Sequence, residues 1–413
     1  MALINENFLK LSESYLFTEI ARKVNAYKEE HPKADIISLG IGDVTQPLAP
    51  AVIEALHKAT DEMATAATFR GYGPERGYDF LREAIVENDF QARGIDIEAD
   101  EVFVSDGAKS DTGNFQELLS RECVVAVTDP VYPVYIDANT MAGREIVKLP
   151  CTAENGFVPE LPGKHVDVIY LCYPNNPTGT TLTKEQLKMW MDYAIGENAL
   201  IFYDAAYEAY IQSKDVPHSI YEIPGAKQCA VEFHSYSKTA GFTGIRCGYT
   251  VVPTEIKSEE LRIKNLTLNQ LWNRRQSTKF NGTSYLAQRA AEAIYTPEGK
   301  QQIKATIAYY MENAHVMREA LTGMGFKVYG GIDAPYLWVQ TPKPHPLTPS
   351  PVGEGETSGM TSWEFFDWML HSAHVVCTPG VGFGAQGEGY VRLTAFGTHE
   401  ATTKALKRIE KVL

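Results

Sequence analysis

The stretch VDVIYLCYPNNPTG, residues 166–179, decides the fold class. A short, near-continuous apolar run closed by proline, asparagine and glycine reads as a strand buried on both faces and ended by a sharp turn. The same pattern recurs in EVFVSDGAK (101–109), VVAVTDPVYP (124–133), ALIFYDAAY (199–207), CAVEFHSYSK (229–238) and CGYTVVP (247–253). Helix-like segments lie between several of these runs. In TKEQLKMWMDYAIGEN, Thr183 is placed to cap a helix, with Gln186 completing a capping box. Doubly buried strands alternating with helices predict an α/β domain with a mainly parallel sheet covered on both faces. Ligands of such sheets collect at the carboxyl ends of the strands.

Composition bounds the remaining possibilities. With 413 residues, 44% of them hydrophobic, the chain is long enough for two domains with sizeable cores. Its net charge of -14 opposes collection of nucleic acid or anionic membrane by bulk electrostatics, so an anionic ligand requires a local site. The start MALINENFLKLSESYLF has neither a basic leader nor a long apolar run, and no stretch approaches the roughly 18 apolar residues of a membrane span. A cytoplasmic protein is expected. Six cysteines without a C-x-x-C pair, several inside apolar runs, are read as reduced thiols; no metal site is expected.

Chemistry-bearing residues sit at the polar tail of nearly every strand-like run. In SDGAKSDTGNFQELL (105–119) a strand end passes through Gly107, Ala108 and Lys109 into a helix, whose first amides and positive end suit a phosphate. The spacing is neither a Walker motif nor a dinucleotide fingerprint. Tyr132 is either a packed aromatic or a ring set against a flat cofactor. Asn176 with the Pro-Thr-Gly that follows, and Asp204 with Tyr207, read singly as turn residues and a helix cap. Lys238, Ser235, Ser237 and Arg246 fall in EFHSYSKTAGFTGIRCGY (232–249), and Arg392 in the apolar GEGYVRLTAFG (387–397), where an unpaired arginine is costly.

Taken in order, the series resembles the fold type I pyridoxal-phosphate enzymes of the aminotransferase class I and II family, over nearly the whole chain. That resemblance implies a large domain, residues 48–295, around a mostly parallel seven-stranded sheet, and a smaller α/β domain made of residues 1–47 and 296–413. It implies pyridoxal 5'-phosphate as cofactor, with Lys238 bonded covalently to its aldehyde and later moving the proton, and Asp204 facing the pyridine nitrogen. Ser235, Ser237, Arg246 and the amides of Ala108 and Lys109 would hold the phosphate, Asn176 and Tyr207 the phenolic oxygen, and Tyr132 the ring face. Arg392 would clamp the substrate carboxylate.

Flanking blocks resemble a branch of the family that transfers nitrogen reversibly from LL-diaminopimelate to 2-oxoglutarate, giving tetrahydrodipicolinate and glutamate: residues 12–48, FRGYGPERGYDFLREAI (69–85) and KFNGTSYLAQRAAEAIY (279–295). By that likeness Tyr15 and Gly42 would contact substrate, and Tyr72 and Asn281 would reach the site of a neighbouring subunit in a homodimer. Glu75, the acid in the segment after Tyr72, would meet a distal ammonium, while Lys109 and Asn281 would meet carboxylates. Other aminotransferases and carbon-sulfur lyases of the same fold would keep the same cofactor residues. A non-catalytic ligand sensor would need a DNA-binding segment, and no basic helix-turn-helix pattern precedes Tyr15. One departure is the proline-rich PHPLTPSPVGEGETS (344–358), which is expected to form a solvent loop.

Overall fold

The structure is a computed structural model that describes residues 2–11, 16–40, 42–257, 263–342 and 359–413. Tyr15 and the proline-rich 344–358 segment therefore lie outside the described residues. The described strands are, in chain order, β1 (Ile37–Ser38), β2 (Val102–Ser105), β3 (Val124–Asp129), β4 (Glu145–Pro150), β5 (Val168–Cys172), β6 (Leu200–Asp204), β7 (Ala230–Ser235), β8 (Gly248–Val251), β9 (Val328–Gly330), β10 (Tyr336–Gln340), β11 (Val375–Val376), β12 (Thr378–Pro379) and β13 (Tyr390–Thr394).

Seven of them form one sheet in the order β2-β8-β7-β6-β5-β3-β4. The pairs from β7 through β6, β5 and β3 to β4 are parallel, whereas β8 runs antiparallel to both β7 and β2. All six strand-like runs of the sequence are strands of this sheet. The seventh, β4, escaped the sequence reading because it is an edge strand with one buried residue, so EIVKLP lacks the apolar run of its neighbours.

Alternation explains why the inner strands look uniformly apolar. Along β5, Val168, Tyr170 and Cys172 enter one core cluster with Phe115, Phe202 and Phe233, while Ile169 and Leu171 enter another with Trp190, Met191 and Ile201. Each face is covered, so every position favours an apolar side chain. The helix Lys184–Glu197 shows how local sequence sets the boundaries of the cover. Thr183 Oγ1 accepts from the Gln186 amide at 3.3 Å, and the Thr183 amide donates to Gln186 Oε1 at 2.8 Å. Asn198, in the left-handed region with φ 55°, ends it.

A further core joins both ends of the chain. Ile20, Tyr27, Ile37 and Leu39 from the N-terminal part pack with residues between Tyr310 and Ile409. There β12, β13, β10 and β9 form an antiparallel sheet, and β1 pairs in parallel with β11, Ile37 opposite Val375. All six cysteines are free thiols, as expected. No helix among the described residues is long and apolar enough to cross a membrane.

The capping box gives a direct check on the local reading. Thr183→Ala removes one amide acceptor on an exposed helix start and should lower stability by about 1 kcal/mol, measured by urea unfolding. An unchanged midpoint would show that water replaces the cap without loss.

Candidate active site

Ser105, Asp129, Cys172, Asp204 and Ser235 are the last residues of β2, β3, β5, β6 and β7. Beyond these carboxyl ends lies a cavity of about 400 Å³ that also receives Gly42, Tyr336 and Arg392 from the parts sharing the second core.

Lys238 stands on a single helical turn, Tyr236–Thr239, begun by Ser235, whose Oγ accepts from the Ser237 amide at 3.2 Å. Tyr210 holds the turn by donating its hydroxyl to the Lys238 carbonyl at 2.7 Å. The Lys238 ammonium donates to the Gly42 carbonyl. Burial pushes the amine down to about 8; Asp43 opposes the shift, and Arg392 and Arg246 add to it. A lysine that loses its proton near neutral pH is a usable nucleophile and base.

Next to the lysine is a cradle suited to a phosphate. Arg246, itself at φ 67°, places Nη1 3.2 Å from Ser237 Oγ. Its Nη2 lies so close to the turn before the helix Ala108–Phe115 that a Cβ at Gly107 would sit 2.7 Å away. Gly107 has φ 137°, and a Cβ on Gly248 would come 2.9 Å from the Gly107 Cα. Small residues thus let strand end, arginine and helix start converge. That helix has no side-chain cap at its positive end, an arrangement that favours an anion.

Deeper in the cavity, Asp204 is buried. Its Oδ2 accepts from the Tyr135 hydroxyl and its Oδ1 from the Ala206 amide at 3.1 Å. Burial raises its pKa and these hydrogen bonds oppose the rise. No ion pair reaches it among the described residues. Tyr207 shares a hydrogen bond of 2.7 Å with Tyr336. Asn176 uses its oxygen to accept from Arg392 at 2.7 Å, which leaves its amide nitrogen as the donor. The Tyr132 ring crosses that of Tyr135 edge-on, with centroids 5.7 Å apart.

Arg392 sits on β13, opposite Trp338 of β10 and Thr378 of β12, and is 1% exposed. Its Nη2 donates to the Gly40 carbonyl at 2.8 Å, and its Nε has no hydrogen-bond partner. The guanidinium lies 4.8 Å from the Tyr336 ring centre and 4.9 Å from that of Phe383. Among the described residues no carboxylate pairs with it. A Cβ at Gly42 would fall 2.8 Å from the Tyr336 hydroxyl oxygen, so the glycine leaves room for that hydroxyl beside Arg392.

One chain thus brings together Gly42, Ala108, Lys109, Tyr132, Asn176, Asp204, Tyr207, Ser235, Ser237, Lys238, Arg246 and Arg392. It does not bring in Tyr72, Glu75 or Asn281. Tyr72 is 90% exposed, Glu75 and Asn281 are exposed, and a Cβ at Gly282 would be 3.0 Å from the Pro74 carbonyl, so the two loops share a surface patch outside the cavity. Tyr135 and Tyr336 are site residues that the sequence reading passed over. Tyr135 stands one helical turn after Tyr132 in the helix Pro133–Ala142, a spacing that could have pointed to it.

These residues fit pyridoxal 5'-phosphate on structural grounds. The cavity offers a lysine amine lowered to about 8, an anion cradle lined by glycine, and a buried carboxylate lacking a cation. The model of the family described as aminotransferase class I and II matches residues 34–409. The chain belongs to that family. Among its curated relatives, the LL-diaminopimelate aminotransferase of Bacteroides fragilis is 61% identical over the full length of both chains. That of Methanosphaera stadtmanae is 57% identical over 99% of this chain and 98% of its own. Among solved structures, the L,L-diaminopimelate aminotransferase of Chlamydomonas reinhardtii superposes with a TM-score of 0.90, at 41% identity, covering 99% of this chain and 98% of its own. The aminotransferase is a fold type I, pyridoxal-phosphate-dependent enzyme.

The lowered lysine predicts how this aminotransferase captures its cofactor. Below about pH 8 Lys238 is protonated and cannot attack an aldehyde; above it the free amine dominates. The rate at which apoprotein gains the absorbance of bound pyridoxal 5'-phosphate should therefore rise with pH and level off above about 8. A rise continuing toward pH 10 would show an ordinary, solvated lysine.

Proposed function

We propose that this aminotransferase exchanges nitrogen between LL-2,6-diaminopimelate and 2-oxoglutarate, giving tetrahydrodipicolinate and glutamate, reversibly. The observation that carries the reading is the buried, carboxylate-free guanidinium of Arg392, facing the same cavity as the amine of Lys238. The high identity to curated LL-diaminopimelate aminotransferases over full length supports the choice of substrate.

When bound, pyridoxal 5'-phosphate supplies an aldehyde that bonds an amino group and a ring that takes up the electrons of the substrate α-carbon. The remaining work falls to the chain. Arg392 draws the α-carboxylate into a site where its charge is otherwise unmatched, which fixes the α-carbon relative to Lys238. The Nζ of Lys238, poised near pH 8, is the group that takes up and returns the α-proton. Asp204, held by Tyr135 and the Ala206 amide, offers an anion to the ring nitrogen, and its burial makes that offer strong. Asn176 and Tyr207 would donate to the ring oxygen, Tyr132 would lie against the ring, and Ser235, Ser237, Arg246, Ala108 and Lys109 would anchor the phosphate.

The same reading assigns the outlying residues. The enzyme acts as a cytoplasmic homodimer in which Tyr72, Glu75 and Asn281 enter the neighbouring cavity, Tyr72 toward the phosphate and Glu75 and Asn281 toward the far end of the substrate. Their clustering on one exposed patch supports this. Tyr15, Gly42 and Lys109 complete the substrate contacts. Residues 48–295 form the large domain, and residues 1–47 with 296–413 the small one, a reading supported by the core in which Ile20, Tyr27, Ile37 and Leu39 pack with residues after Tyr310.

Two experiments test the assignment. Lys238→Ala should be colourless after dialysis, lack any borohydride-fixed cofactor and lose transamination; near-normal turnover would remove the lysine from its role. Glu75→Gln should weaken the half-reaction with LL-diaminopimelate by about 1–3 kcal/mol, the cost of a lost charged hydrogen-bond partner. Glutamate, which has no distal ammonium, should change far less in single-turnover measurements. Equal losses for both donors would make Glu75 an interface or loop residue and leave its specificity role unsupported.

A further inference from the structure

A second cavity, of about 460 Å³, lies behind the segments that carry the catalytic groups. Both segments are shared between the two cavities by alternation. After β6, Asp204, Ala206 and Tyr207 line the active cavity, whereas Ala205 and Glu208 line the rear one. After β7, Ser237 and Lys238 face forward, Tyr236 and Thr239 face back, and Ser235 borders both. Whatever fills the rear space presses on the reverse side of the lysine turn and of the Asp204 loop.

The opposite wall is one face of the helix Pro297–Gly323: Lys300, Ile303, Lys304, Ile307 and Ala308, at spacings of three and four residues. Ile307 packs against both large core clusters, so the cavity sits where the two cores meet. Ile211 and Ile294 extend its apolar lining.

The polar side chains inside are already hydrogen-bonded to one another, Asp89 to neutral hydroxyls only. Asp89 Oδ2 accepts from the Tyr249 hydroxyl at 2.8 Å and from Tyr295 at 2.6 Å. Glu208 Oε2 accepts from Arg93 at 3.4 Å and lies 3.1 Å from His218 Nδ1. His234, stacked on Tyr249, is hydrogen-bonded to Glu232. The floor therefore leaves an incoming molecule little to gain from polar contact, and its carboxyl groups repel an anion. The rim differs. Lys300 and Lys304, one turn apart and exposed, take part in no ion pair among the described residues.

We propose that this cavity binds a compact amphipathic carboxylate, with its hydrocarbon body against Ile211, Ile294, Ile303 and Ile307 and its anionic head between Lys300 and Lys304, and that occupancy is coupled to the active site through the 235–239 turn. The volume is in the range of small-molecule pockets, roughly 300–1,000 Å³. The coupling is energetic: a ligand that braces the rear of the turn changes the freedom of Lys238 on its front.

The probe is 4-phenylbutyrate, titrated calorimetrically into holoenzyme saturated with 2-oxoglutarate, which occupies Arg392 and keeps the probe from the active cavity. Saturable binding is expected, weakened at least tenfold in the double variant Lys300→Glu, Lys304→Glu and abolished by Ile307→Trp, which fills the space. The two lysines lie outside the catalytic machinery, so the double variant should keep wild-type turnover and remains informative even if the tryptophan variant fails to fold. In the absence of 2-oxoglutarate, the probe should change the single-turnover rate with glutamate in wild type and not in the double variant. No binding, binding indifferent to the lysine changes, binding displaced by 2-oxoglutarate, or binding without effect on the half-reaction each overturns the proposal.

Discussion

A guanidinium that is 1% exposed and, among the described residues, lacks a carboxylate partner is the constraint around which the site is arranged. Burying a charge is costly unless neighbours satisfy it. Here the Asn176 oxygen, the Gly40 carbonyl and the faces of Tyr336 and Phe383 supply enough polarity to hold Arg392 in place without neutralising it. On the proposed reading the substrate carboxylate supplies the counter-charge. Asp204 repeats the arrangement with opposite sign, fixed by Tyr135 and a backbone amide, with no ion pair among the described residues. Between them, Lys238 responds to the same shortage of water by losing its proton near pH 8. Three groups largely withheld from water thus share one cause, and on the proposed reading each is completed by a part of the cofactor or substrate.

The architecture keeps these groups in register. Asp204 and Lys238 come from adjacent parallel strands of the seven-stranded sheet, while Gly42, Tyr336 and Arg392 come from the elements packed in the second core. Within the cavity, hydrogen bonds from Lys238 to Gly42, between Tyr207 and Tyr336, and from Arg392 to Asn176 join the two sides. The catalytic geometry therefore depends on how the cores meet, and the rear cavity lies at that junction.

Much of this was legible in the sequence because it is local. Doubly buried strands leave continuous apolar runs, so six of the seven large-sheet strands could be read directly, and the chemistry falls on the turn residues that end them. Thr183 and Gln186 announced their capping box for the same reason. What stayed hidden depends on distant partners. The edge strand Glu145–Pro150 has little buried surface to shape its composition. Tyr336 gains its meaning from Tyr207, and Tyr135 from Asp204, contacts across 129 and 69 residues. The loop residues Tyr72, Glu75 and Asn281 are exposed on a single chain, so the role proposed for them rests on a second copy.

The central claim is the proposal that Arg392 holds the substrate carboxylate. Single-turnover rates of wild type and Arg392→Gln with LL-diaminopimelate, and with 1,5-diaminopentane, the same diamine without its carboxylates, test it most directly. With LL-diaminopimelate the variant should lose about 3 kcal/mol or more of transition-state binding, roughly a hundredfold in kcat/KM, while the slow reaction of the diamine should stay the same. An equal loss with both compounds would make Arg392 a structural residue and contradict the account.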